Sequence, residues 1–160
     1  MSSGLNIRYP VYLICLLFIG VGLSGCKVVK RPDYPIGIYS VGNANNLPDI
    51  AAVGFNLVTG PAEIDYLDAA ESNDLMVLAS PGSVAGEAFN VAKIRATIAR
   101  FDRHPALWSW YLIDEPDMKL IDPDRVQEAH SALKRAGATK PTSLVLYKGD
   151  EAQWYGGIAD

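Results

Sequence analysis

The sequence predicts an α/β fold, and three observations carry that expectation. Apolar runs of strand character alternate with segments of helical periodicity from Pro35 to Tyr147, the pattern of parallel strands joined by right-handed crossovers. The run Leu75-Met76-Val77-Leu78-Ala79 is apolar on both faces, as a strand in a sheet covered by helices must be. No Gly-x-Gly-x-x-Gly follows the first strand, and no phosphate loop is present. A nucleotide-binding fold therefore has no positive support. An open doubly wound sheet and a (β/α)8 barrel both fit the periodicity.

Each element has a local reason. Pro35 to Val41 reads as the first strand. Asn46 is placed to cap a short helix with Pro48 in its first turn and Leu47, Ile50 and Val53 at helical spacing; Gly54 ends it. Phe55 to Gly60 is a second strand, and Ile64, Leu67 and Ala70 mark a second helix closed by Asn73-Asp74. After the third strand and the Ser80-Pro81-Gly82-Ser83 loop, Ile94, Ile98 and Phe101 recur at i, i+4 and i+7, and His104-Pro105 stops that helix. Ala106 to Ile113 is a fourth strand, rich in aromatics. Asp122 as cap, Pro123 at the first helical position and Gly137 at the end define a fourth helix, with Val126, Ala129, His130 and Leu133 on one face. Thr142 to Tyr147 is a fifth strand, and Ala152 to Ala159 begins something helical.

The N-terminus is of another kind. Val11 to Leu23 is almost purely apolar, with Arg8 the only charge ahead of it. A short positive region followed by an apolar run is the pattern of an export signal. The run falls short of the roughly 20 apolar residues that span a bilayer. It ends in Leu23-Ser24-Gly25-Cys26, which resembles the bacterial lipobox. That resemblance implies removal of residues 1–25 and acylation of the Cys26 thiol. The rival reading is an uncleaved anchor helix with an incidental cysteine; length, flanks and lipobox together favour export. Residues 26–34, beginning Lys27-Val28-Val29-Lys30-Arg31-Pro32-Asp33 after the cysteine, read as a basic tether. A lipid on Cys26 implies a cell-envelope protein held on a membrane surface without spanning it. Lys27 after the cysteine resembles release to the outer membrane if the cell is Gram-negative. Cys15 lies within the signal, so the mature chain keeps no free thiol and no disulfide.

Net charge is −4 over 160 residues. A nucleic-acid partner is excluded as an expectation, because phosphate neutralisation needs a basic surface. His104 and His130 have no cysteine or carboxylate at ligand spacing, so neither a metal site nor a cofactor is expected. Asp117, Asp122 and Asp124 could hold calcium, but capping explains Asp122 more simply.

Chemistry concentrates in the segment Arg103-His104-Pro105-Ala106-Leu107-Trp108-Ser109-Trp110-Tyr111-Leu112-Ile113-Asp114-Glu115-Pro116. A buried strand runs into two adjacent carboxylates, and Pro116, lacking an N–H, ends it. Both acids then sit at the carboxyl end of strand four, the edge where parallel α/β folds bind ligands. Neighbours on a strand point to opposite faces, so Asp114 and Glu115 are expected to face apart. Trp108, Trp110 and Tyr111, inside the strand, read as core before they read as sugar platforms. Tyr39, Ser80, Tyr147 and Trp154 fall at or beyond the ends of other strands and are the candidate substrate contacts.

The His-Pro-Ala-Leu-Trp lead-in with Asp114-Glu115-Pro116 resembles the retaining glycoside hydrolases of the large TIM-barrel clan. Gly54-Phe55-Asn56 and the step from Ala70 to Val77 are similar to the same proteins, so the resemblance covers residues 35–160. It implies a partial (β/α)8 barrel of about five strand–helix units, with Glu115 as the acid/base and Asp114 beside the cleaved sugar. The clan usually has Asn where Asp114 stands. A second carboxylate there either raises the pKa of Glu115 or holds a sugar hydroxyl. A full barrel takes about 250 residues, and the clan's nucleophile ends a seventh strand that residues 35–160 do not contain. The expectation is a truncated or split enzyme, inactive alone, whose barrel a second chain could complete. Three classes of function stay open: a lipid-anchored glycoside hydrolase-like protein, a surface lipoprotein that binds an oligo- or polysaccharide without cutting it, and an inactive fragment.

Overall fold

A computed structural model describes residues 34–82, 90–149, 152–155 and 158. The expected signal, Cys26 and most of the tether lie outside the described residues. Among the described residues no helix is long and apolar enough to cross a membrane.

Five parallel strands form one sheet in the order of the chain: β1 (Gly37–Ile38), β2 (Leu57–Gly60), β3 (Met76–Ala79), β4 (Leu107–Asp114) and β5 (Thr142–Val145). A doubly wound sheet reverses its strand order at a switch point; this one never does. It curls instead into a half-barrel, with helices α1 (Leu47–Ala52), α2 (Ile64–Ser72), α3 (Val91–Phe101) and α4 (Pro123–Arg135) as crossovers, then a short α5 (Ala152–Tyr155). The choice that the periodicity left open thus falls to the barrel arc.

Helix starts follow local chemistry. Asn90 Oδ1 accepts the Lys93 N–H at 2.9 Å, and Asp122 Oδ1 accepts the Asp124 N–H at 2.9 Å ahead of Pro123. The first helix differs from expectation. Asn46 makes no side-chain cap; Asn43 accepts the Asn45 N–H and opens a 3-10 turn, Ala44–Asn46, that leads into α1. Strands one, two, three and five are shorter than the apolar runs that announced them, because ladder pairing stops before apolarity does.

The core lies between sheet and helices. Val58, Val77, Leu107, Trp110 and Leu112 from the strands meet Leu67, Ala70, Ile94, Ile98, Val126 and Leu133 from the helices. Gly60 has a packing reason, since the Tyr66 ring occupies the space a Cβ there would need. By register, Leu57, Thr59, Leu78, Ser109, Tyr111 and Ser143 share the other, concave face. Leu57, Thr59, Leu78 and Ser143 there are only half-buried. Register slips at Trp108, between the Val77–Leu107 and Leu78–Ser109 pairs. That bulge leaves Trp108 half-buried, while Trp110 is fully buried as core.

Candidate active site

Glu115 follows β4 directly, and the strand's end is sharper than Pro116 alone implies. The Glu115 N–H still donates to the Val145 carbonyl at 2.9 Å, closing the β4–β5 ladder. Its φ is +47°, a left-handed conformation that costs an L-residue roughly 1–2 kcal/mol. Such strain persists where surrounding structure over-determines it, and it clusters at functional sites. The Glu115 carboxylate is half-exposed and forms no hydrogen bond or ion pair with a described residue.

The turn removes the basis for expecting Asp114 and Glu115 to face apart. Alternation holds for extended backbone, and Glu115 is not extended. Both carboxylates act on one hydroxyl, that of Tyr39. Desolvation first, then the charge and hydrogen bonding of Asp114, push that phenol above its ordinary pKa, with a smaller contribution from Glu115.

Asp114 is held from two sides. The Tyr111 hydroxyl donates to Asp114 Oδ1 at 2.8 Å. Lys119 Nζ donates to the Asp114 main-chain carbonyl and lies 3.6 Å from Oδ2. Tyr111 is buried as expected of core, yet its polar end belongs to this cluster. Burial, and then its bond to Asp114, push the Tyr111 phenol far above its ordinary pKa, so it remains a donor. The Tyr39 ring meets the Tyr111 ring edge-on, with centroids 6.3 Å apart.

Beside this pair opens a cleft of about 240 Å³ at the carboxyl ends of β1 to β3, lined by Tyr39, Ser40, Thr59, Gly60, Ser80 and Tyr111 among others. Ser40, like Glu115, has a left-handed φ of +60°, and its N–H donates to Thr59 Oγ1 at 2.6 Å. The expected contacts Tyr39 and Ser80 thus line one cleft next to the acids. Tyr147 and Trp154 follow β5 on the same rim, each 63% exposed, but outside the lining of that cleft.

Asp117 has a role that the sequence did not reveal. It is 3% exposed, and its two oxygens accept the N–H groups of Tyr147, at 3.0 Å, and Lys148, at 2.7 Å. Burial opposes its charge, but those backbone donors outweigh it and hold the carboxyl below its ordinary pKa. The Tyr155 hydroxyl adds a bond to the Ile121 carbonyl at 2.6 Å. Asp117 is therefore spent on fastening the segment after β5 to the loop after β4. Asp122 is spent on its helix cap.

At the opposite pole, Asp68, Glu71 and His104 bring ligand-type atoms within 4.8 Å of one another, a grouping that sequence spacing did not suggest. His104 Nδ1 accepts the Ala106 N–H at 3.2 Å, and Nε2 lies 3.0 Å from Asp68 Oδ1. With Nδ1 accepting, the neutral ring carries its proton on Nε2 and donates it to Asp68. His104 thereby clamps α2 to the turn before β4. No family model matches the chain, and no curated protein is significantly similar to it.

Proposed function

We propose that the half-barrel carries the acid/base half of a glycoside hydrolase-like site on a lipid-anchored envelope protein. The observation that carries the reading is Glu115: a carboxylate unbonded to any described residue, in strained backbone at the carboxyl end of β4, on the rim where a cleft lined by Tyr39, Ser40, Thr59, Ser80 and Tyr111 among others opens. Such a group protonates a glycosidic oxygen and then takes a proton from water. Asp114 and Tyr111 would present a fixed acceptor and donor to sugar hydroxyls. Tyr39 would offer its exposed ring to a sugar face.

Retaining hydrolysis needs a second carboxylate roughly 5–5.5 Å from the first. Asp114 is tied to Tyr111 and Lys119, and Asp117 to two backbone donors. The reading therefore assigns the nucleophile to further strand–helix units added at the free edges of β1 and β5, in this polypeptide or on a second one. The anchor rests on the Leu23-Ser24-Gly25-Cys26 motif. A non-catalytic carbohydrate-binding lipoprotein is the second reading, favoured by the exposure of Tyr39, Tyr147 and Trp154 along one rim.

The test uses the full chain, extracted in detergent, on immobilised polysaccharides and on a panel of aryl glycosides. Retention that falls with Tyr39→Ala and with Glu115→Ala supports the site. With a partner that completes the barrel and supplies the nucleophile, aryl glycoside turnover that is lost in Glu115→Ala and restored by azide, which attacks the glycosyl-enzyme without a general base, assigns the acid/base role. Retention without turnover by this chain alone fits both readings; turnover that appears only when strand–helix units completing the barrel are supplied, and is lost in Glu115→Ala, separates the enzyme half from the binding module. Neither retention nor turnover, with the chain folded, rejects both readings.

A further inference from the structure

The chain leaves the half-barrel toward Cys26 from a fixed point. Asn56 Oδ1 accepts the Ile36 N–H at 2.8 Å, and Asn56 Nδ2 donates to the Tyr34 carbonyl at 3.0 Å. That amide clamps the segment before β1 onto β2 at the amino ends of the strands, the pole opposite Glu115. The same pole collects positive charge. Parallel strands place every crossover helix's C-terminus there. Arg100 and Arg103 lie at the end of α3, and Lys134, Arg135 and Lys140 at the end of α4 and just beyond it. Arg100, Arg103 and Arg135 are exposed. A polar cleft of about 270 Å³, with Arg103 in its wall, separates the two helix ends. Negative charge on this pole belongs to the α2 end (Asp68, Glu71, Asp74) and to the buried Asp102. The opposite rim carries Asp49, Glu63, Asp65, Asp114, Glu115, Asp117, Asp122 and Asp124 at strand ends and helix starts, against the positive charges of Lys93, Lys119, Arg125 and Lys148.

We infer that the α3–α4 end of this pole rests on an anionic lipid surface and turns the Glu115 rim away from the bilayer. The inference builds on the lipid-anchor reading. Cys26 to Asp33 is eight residues, a reach of about 28 Å at ~3.5 Å per residue. Five strands at about 4.8 Å spacing span only about 19 Å between the first and last. The tether is thus long enough for the arginines, rather than the attachment point, to choose which part of the pole meets the headgroups. Basic side chains near an anionic leaflet attract it within about a Debye length, and the acidic rim is repelled by the same field.

The test reconstitutes the full lipidated chain into phosphatidylcholine vesicles with or without phosphatidylglycerol. A donor fluorophore is attached at Val53→Cys, on the tether pole and 74% exposed, or at Leu120→Cys, on the Glu115 rim and 90% exposed. Acceptors are placed on the headgroups. On phosphatidylglycerol vesicles at about 0.1 M salt, transfer from position 53 should exceed transfer from position 120. The excess should vanish on phosphatidylcholine alone and at about 1 M salt, where the Debye length contracts to about 3 Å. It should also vanish in Arg100→Gln/Arg103→Gln/Arg135→Gln. Equal transfer from both positions on phosphatidylglycerol at low salt, with the protein still vesicle-bound, overturns the orientation and leaves the anchor standing. A Cys26→Ala chain that partitions like wild type removes the anchor, and the orientation with it.

Discussion

Replacing Glu115 by glycine separates a functional carboxylate from a structural one. The residue's φ of +47° costs an L-residue roughly 1–2 kcal/mol, which glycine does not incur. Glycine gives back roughly 0.5–1 kcal/mol through the freer unfolded chain. The Glu115 carboxylate bonds to no described residue, so its removal leaves no described partner unsatisfied. The balance runs from neutral to about 1.5 kcal/mol more stable for Glu115→Gly. Urea unfolding followed by the fluorescence of buried Trp110 reads this as an unchanged or raised midpoint with an unchanged slope. Glu115→Gln keeps the backbone cost and should unfold like wild type. Both variants should lose any glycoside turnover. A Glu115→Gly protein destabilised by more than about 1 kcal/mol would refute the reasoning, because the side chain would then be holding the loop together.

Three further outcomes rest on other parts of the fold. Asp102 accepts from Trp110 Nε1 at 2.8 Å, from the Thr139 N–H and hydroxyl at 2.9 and 2.6 Å, and from the Lys140 N–H at 3.3 Å. Asp102→Ala strands those donors and should cost about 3–5 kcal/mol by urea unfolding. Burial works against the Asp102 charge, but its four donors prevail and lower its pKa in the folded state. The stability it contributes is therefore complete above its unfolded pKa of about 4 and is lost as pH falls through the folded value, which wild type and Asp102→Ala compared in acid should show. Gly60→Ala drives a methyl into the Tyr66 ring and should cost roughly 1–3 kcal/mol in a thermal melt. Asp117→Ala should raise amide exchange at Tyr147 and Lys148 while leaving β2 and β3 protected; uniform exchange across the chain would mean Asp117 is not a local latch.

The fold was legible because its signals are local or periodic. Ile94, Ile98 and Phe101 at helical spacing and Asp122-Pro123 at a helix start each act within a few residues of chain. Periodicity could not give the order of the strands, since a barrel arc and a doubly wound sheet ask the same of each strand; the resemblance around Asp114-Glu115-Pro116 pointed to the barrel, and the chain-order sheet bears that out. For the site, strand direction alone sufficed to put Tyr39, Ser80, Glu115 and Tyr147 on one rim. The chemistry that joins them needed coordinates. Tyr111 read as core because its ring is core; that its hydroxyl turns back to Asp114, three residues on, follows from where the strand stops.

The buried aspartates mark where reading along the chain fails most sharply. Asp117 stands among other acids in a turn and Asp102 between arginines at a helix end, both places where a solvated carboxylate is the ordinary expectation. Their donors come from residues 139–140 and 147–148, on the far side of a whole strand–helix unit. Each carboxylate accepts N–H groups that flank β5 and that no ladder pairs, one at the strand's amino end and one beyond its carboxyl end. β5 has a single strand neighbour among the described residues. Two charge-assisted clamps at its two ends supply anchoring that a second neighbouring strand would otherwise give. The same logic bears on function. Of the carboxylates on the Glu115 rim, Asp114, Asp117 and Asp122 already serve a tyrosine and a lysine, a loop and a helix cap. Glu115 is bound to no described residue and sits in backbone that costs energy to hold, which is why the catalytic proposal falls on it.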